Sequence, residues 1–360
     1  MKRYVLLLTL LVLTYMPLPG AGEGPLQVEE GEGWIEVDTG SVAVLIRESG
    51  SVVLSLPGEE RSIMLTFSGL YAGDAELGIG AGASLGADPW QLQVVRQDGE
   101  VEVVMKKSVE LTDMTVGHGP GMGGRGGMGM NGGSEGRADL EIHIRVFTEP
   151  KVFGEEEVGG PEEVKIDIVL APAGVEAERI YLEQRLGEEG LNGEEGHFRW
   201  AMVKGTVGRG ARCNMGGEAR ELFMCSPSSG VGSVAYRAGG GEELGAYTWT
   251  DRVIVNTTGG ESGELSVESY IGEEADVVVF SYPAGNVTEI LHDPVFRLSP
   301  EAVKRALEVL HREFLEHIRS ILLGTAAGVA LVVCIAAYVG RRVREEDPLS
   351  NPYLREPPRR

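Results

Sequence analysis

Between about Gly22 and Leu298 hydrophobic positions alternate with polar ones, in short runs broken by glycine. WIEVD, SVAVLIR and SVVLSL come first. VEVVMKKSVEL, ADLEIHIRVF and EVKIDIVL follow, then HFRWAMVKGTV, DRVIVNTT, ELSVESYI and DVVVFSYP. A period of two turns successive side chains to opposite sides of an extended chain. Each run rich in Val, Ile, Phe, Tyr or Trp therefore predicts a strand with one buried face. Asp98-Gly99, between two such runs, predicts a tight hairpin, and Asn192-Gly193 marks another turn. Helical periodicity is nearly absent before Ser299, which excludes a fold of alternating strands and helices. The expectation is an all-β domain over 22–298, a large antiparallel β-sandwich in one piece.

At Ser299 the period changes. Ser299-Pro300-Glu301 combines a capping side chain, a proline in the first turn and an acid near the positive end of the helix dipole. Val303, Leu307, Leu310, Phe314 and Ile318 then recur at three- or four-residue steps, an apolar stripe that packs on the sandwich or pairs with a second copy. No charge occurs from Ser320 to Gly340. A helix of about 20 residues rises ~30 Å, the thickness of a bilayer's hydrocarbon core. Arg341, Arg342 and Arg344 follow at once, which places that side in the cytoplasm. The sandwich is thus expected to lead into a long C-terminal helix, juxtamembrane over 299–319 and transmembrane over 320–340. A proline-rich cytoplasmic tail, 341–360, completes the chain.

The other end supports this topology. Lys2 and Arg3 precede an apolar run to about Tyr15, then Pro17, Pro19 and small residues, the layout of a signal peptide over 1–21. The chain is expected in the cell membrane as a single-pass protein, with its N-terminal domain outside. Gly324 and Gly328 are four apart, and Ala336 and Gly340 repeat the spacing. Small residues on one helix face let two backbones approach inside lipid, so a homodimer through this helix is a candidate assembly.

Charge narrows the partners. The chain carries −23, and leader and tail hold +2 each, which leaves −27 on the part between. Such a surface repels phosphate backbones, so no nucleic acid is expected. Cys334 lies in the span. Cys213 and Cys225 lie outside it, where disulfides persist, and a bridge between them is expected. Asn256-Thr257-Thr258 and Asn286-Val287-Thr288 fit the N-glycosylation acceptor pattern.

GHGPGMGGRGGMGMNGG, from Gly117 to Gly133, sits in an insertion over 114–137 between two strand runs. His118, Met122, Met128 and Met130, with Met114 nearby, carry ligands that suit Cu(I). Against a copper site, glycine makes the tract costly to order and Arg125 would repel a cation; the tract reads foremost as a flexible insertion. Gly82 to Gly86 matches GxSxG, but Asp88-Pro89 follows where a nucleophile elbow needs a helix. The GxGxxG match from Gly121 to Gly126 is nearly inevitable in a glycine tract. His292-Asp293-Pro294 can be an acid–base or metal pair, or simply a turn, since Asp before Pro favours a bend.

His197-Phe198-Arg199-Trp200, Ser281-Tyr282-Pro283 and His292-Asp293-Pro294 stand in an order similar to that of uncharacterised archaeal membrane-anchored β-sandwich ectodomains. The resemblance covers the second half of the exterior domain. It implies fold and placement, and no activity attaches to it. The leading expectation is a non-enzymatic acidic ectodomain for binding, adhesion or envelope structure, with no cofactor and an extracellular ligand the sequence does not name. The alternatives are a surface-tethered hydrolase of glycans or peptides, using carboxylates that no motif pairs, and an exterior copper-binding protein.

Overall fold

The computed structural model describes residues 26–299 apart from 57–60, 75–76, 98, 114–135, 150, 154–155, 161–162, 191–198, 205, 216–217, 227–229, 238–242 and 274. Beyond them it describes 315, 319, 324–325 and 328–338, all helical. The chain divides into two compact units, Met1–Leu307 and Glu308–Arg360.

The first unit is antiparallel β throughout its described residues. It opens with β1 (Gln27–Gly31), β2 (Trp34–Asp38), β3 (Ala43–Arg47), β4 (Ser51–Ser55), β5 (Arg61–Gly73) and β6 (Ile79–Ser84). The middle holds β7 (Gln91–Gln97), β8 (Glu100–Asp113), β9 (Gly136–Phe147), β10 (Lys151–Phe153), β11 (Glu156–Gly159), β12 (Glu163–Ala173) and β13 (Arg179–Gly190). Then come β14 (Arg199–Lys204), β15 (Thr206–Met215), β16 (Glu218–Ser226), β17 (Val231–Arg237), β18 (Glu243–Thr250) and β19 (Arg252–Thr257). The last are β20 (Ser262–Ser266), β21 (Glu268–Gly272), β22 (Val277–Pro283), β23 (Val287–His292) and β24 (Val295–Leu298).

Two sheets form. The first runs β1-β2-β3-β4-β5-β13-β22-β21-β16-β15. β6 takes the far half of the β5 edge that β4 leaves open. The second runs β7-β8-β9-β12 and then divides. Ala81↔Asp113 and Gly82↔Thr112 join β6 of one sheet to the end of β8 in the other. β10 and β11 pair apart from both.

The alternation seen in the sequence explains the layering. On β12, Val164, Ile166, Ile168 and Leu170 are fully buried while Lys165 and Asp167 point away. Leu140, Ile142 and Ile144 of β9 do the same beside them. These side chains share one core with Ile46, Leu54, Leu65, Leu182 and Phe280 of the first sheet. A second, smaller core lies on the other face of the first sheet. Tyr71, Tyr181, Cys213, Met215, Leu222, Tyr270 and Val279 fill it, with Ile79 of β6 and Ala211 of β15 packed against them, so this sheet curls on itself.

That curl overturns the expected disulfide. Neither Cys213 nor Cys225 is joined in a disulfide. Cys213 faces the small core and Cys225 the main one. The β15–β16 register sets Cys213 opposite Arg220 and Cys225 opposite Val207. At ~3.3 Å per residue the two lie roughly 16 Å apart along the ladder, far beyond the ~7 Å between Cα atoms that a disulfide spans.

β8 ends at Asp113, β9 begins at Gly136, and they pair from Glu100↔Phe147 to Leu111↔Gly136. The chain between them, with His118, Met122, Met128 and Met130, lies outside the described residues. In the second unit Gly324, Gly328 and Ala336 are helical, and Gly340 lies outside the described residues. Among the described residues no helix is long and apolar enough to cross a membrane. The expected continuous helix from 299 through 340 falls mostly on residues outside that set.

Candidate functional site

Past β12 the second sheet forks. β24 pairs with the first part of β12, Glu163–Lys165, and β23 with the later part, Ile168–Leu170. Asp293-Pro294 interrupts the line between them. Proline has no N–H to give a ladder, and Pro294 contributes only its carbonyl, which accepts from Ile166 N at 2.9 Å. The next line breaks in step at Asp251, with β18 on β24 and β19 on β23. From there β18 continues to β17 and β14, whereas β19 continues to β20.

A groove of ≈ 920 Å³ opens at the fork, on the face turned away from the core. One side is charged. His143 Nδ1 is 2.9 Å from Glu102 Oε1, and its Nε2 is 3.6 Å from Glu141 Oε2. Arg145 pairs with Asp167. Lys165 Nζ lies 3.8 Å from Asp167 and 3.9 Å from Asp293. The other side is aliphatic, made by Val169, Leu291, Ile254 and Val231, and Arg252 pairs with Glu264 at its rim, 3.1 Å. The charged positions are the outward members of EIHIR and VKIDI. Their alternation was legible in the sequence; their juxtaposition needed the register Arg145↔Lys165 and His143↔Asp167.

His292 lines this groove from beneath and is only 2% exposed. Its Nε2 faces the carbonyl of Thr250 at 3.1 Å, so that nitrogen carries the proton and donates. Nδ1 is then the acceptor, and the Tyr282 hydroxyl donates to it at 3.0 Å. Phe280 packs edge-on against the imidazole, ring centroids 4.6 Å apart. Burial pulls the His292 pKa down to about 4, the Thr250 hydrogen bond acting weakly the other way. The ring is therefore a neutral pin between the sheets, held by β22 and β23. The Tyr-Pro and His-Asp-Pro segments, separate in sequence, meet here. Asp293, with its side chain 57% exposed, turns outward.

Other tempting groups prove closed. Glu183 is 1% exposed in the small core; Tyr71 donates to it at 2.8 Å, and Arg185 and Arg220 contact it at 3.2 and 3.5 Å. Burial first, and the Glu183 charge second, raise the Tyr71 pKa, so its phenol stays a hydrogen-bond donor. Lys107 is buried, donates to the carbonyls of Leu85 and Asp88 and lies over the Trp90 ring, which fastens the loop after β6. Ser84 of the GxSxG match ends a strand and is followed by that loop, with no helix. Among the described residues no three His, Cys, Asp or Glu side chains are grouped to hold a metal.

The two glycosylation candidates are neighbours across β19 and β23. Asn256 is half-buried within β19, and Asn286 is exposed in the turn before β23 with φ of 60°. Neither a protein-family model nor a curated protein matches the chain, so the groove stands on its own chemistry.

Proposed function

We propose that the chain is a type I single-pass surface protein whose acidic exterior β-domain binds a ligand without transforming it, through the groove at the fork of the second sheet. The groove's make-up carries the reading. Charges of both signs, spent on one another along β8, β9 and β12, lie beside an aliphatic ledge. Paired charges set orientation and reject mismatched partners, and an apolar ledge supplies contact area. A hydrolase of glycans built on two carboxylates places the scissile bond between them. Here the ammonium of Lys165 occupies the space between Asp167 and Asp293, which favours binding. The copper reading rests on His118, Met122, Met128 and Met130, outside the described residues.

Placement in the membrane draws on the uncharged run from Ser320 to Gly340 and the arginines after it. It also draws on the helical residues Val329, Leu331, Val332, Val333, Ile335 and Tyr338, all exposed, at 46–65%. Residues 331 to 333 are ~100° apart around a helix, so apolar surface faces more than one side, as lipid requires. Gly324, Gly328, Ala336 and Gly340 suit a second copy of this helix.

Full-length protein in lipid nanodiscs, probed against glycan and peptide arrays, should give a defined set of signals. Ile254→Arg, an exposed position on the ledge, should weaken them at least tenfold. Signals indifferent to Ile254→Arg would refute the groove, and blank arrays would refute the binding reading.

A further inference from the structure

Of the two acceptor sequences, the fold leaves one usable. Asn256 lies in β19, hydrogen-bonded to β20 on one side and β23 on the other. Both ends of its carboxamide are occupied: Nδ2 donates to Glu289 Oε2 at 2.6 Å, and Oδ1 accepts from Ser262 Oγ at 2.5 Å. Presenting that nitrogen to an enzyme means stripping a strand from both neighbours. Asn286 is in the opposite situation. It is exposed at the tip of the turn joining β22 to β23. Its backbone is left-handed, φ 60°, a conformation asparagine tolerates better than most residues. Its backbone carbonyl accepts from Thr258 N at 3.0 Å. The Thr288 hydroxyl, the third position of the acceptor, makes one exposed hydrogen bond, to the Asn256 carbonyl at 3.1 Å, which a transferase can exchange for its own.

We infer that Asn286 carries an N-linked glycan and that Asn256 stays bare. The inference rests on the exterior placement proposed above. The donor is an oligosaccharide linked through its anomeric carbon to a polyprenyl phosphate, brought by a membrane-bound transferase. The Asn286 Nδ2 attacks that carbon, and an N–C bond forms. The C–O bond to the lipid phosphate breaks, the phosphate leaves with the electron pair, and the amide gives up one proton to a basic group of the transferase. The asparagine amide bears no charge before or after the transfer.

The test is intact-glycopeptide mass spectrometry on full-length protein from its native membrane, with protease treatment of intact cells in parallel. The expected result is a glycan on the Asn286 peptide, an unmodified Asn256 peptide, and digestion of the β-domain from outside. Thr288→Val should abolish the added mass without disturbing the left-handed residue, Asn286→Gln should also abolish it, and Asn256→Gln should leave it in place. A bare Asn286 in a domain digested from outside would overturn this inference and leave the exterior reading standing. A domain protected from the protease would overturn both. A glycan on Asn256 would overturn the argument from strand pairing.

Discussion

His292 shows how one side chain can decide between a reactive and a structural role. An imidazole beside an aspartate invites an acid–base reading, yet its two nitrogens are both engaged, by Tyr282 and Thr250, inside the main core. Its pKa falls from 6.5 to about 4 on folding. Between those values the unfolded chain binds a proton that the folded one refuses. The contribution is therefore complete above about pH 6.5 and lost as pH falls toward 4, roughly 3 kcal/mol in all. Urea midpoints measured from pH 7 to pH 4.5 should fall for the native protein. In His292→Gln the loss of unfolding free energy over that range should be smaller by about 2 kcal/mol, and an equal loss would mean that other groups carry the pH dependence.

At the scale of the element, register governs chemistry. β15 and β16 are neighbours, but their pairing sends Cys213 and Cys225 to different cores. Burial pushes the Cys213 thiol up to about 11 and raises that of Cys225 as well, so neither forms thiolate at neutral pH. Alkylation at pH 8 should leave both peptides unlabelled in the native protein. Unfolding in urea without reductant should label both. Labelling that appears only after a reductant would restore the disulfide. The same logic made the groove: the breaks at Asp251 and at Asp293-Pro294 fall side by side, and two stops in the ladder become one fork.

At the scale of the molecule, the proposed architecture separates an acidic domain in water from an apolar helix in lipid. Membranes washed with alkaline carbonate should retain the full chain, whereas a chain ending before Ser320 should be released. Release of the full chain would remove the anchor from the reading. Retention of the shortened chain would move the attachment to the β-domain.

The sequence by itself determined the class of the domain. Alternation in EVKIDIVL and ADLEIHIRVF is local information, because a strand with one face in water and one in a core needs a period of two whatever its neighbours are. The break of that pattern around the glycine–methionine tract was equally local, and β8 and β9 end and begin beside it. The candidate site was not legible in this way. Glu102, His143, Arg145, Lys165 and Asp167 come from three strands and meet only through cross-strand register. Nor could spacing tell that the Tyr-Pro and His-Asp-Pro segments close one hydrogen bond in the core. The disulfide expectation failed for the same reason: two cysteines close along a chain can face opposite sides of a sheet, and only the register decides which. Period-two patterning tells a strand which face to bury, while long-range pairing, chosen by the whole core, sets which outward side chains become neighbours.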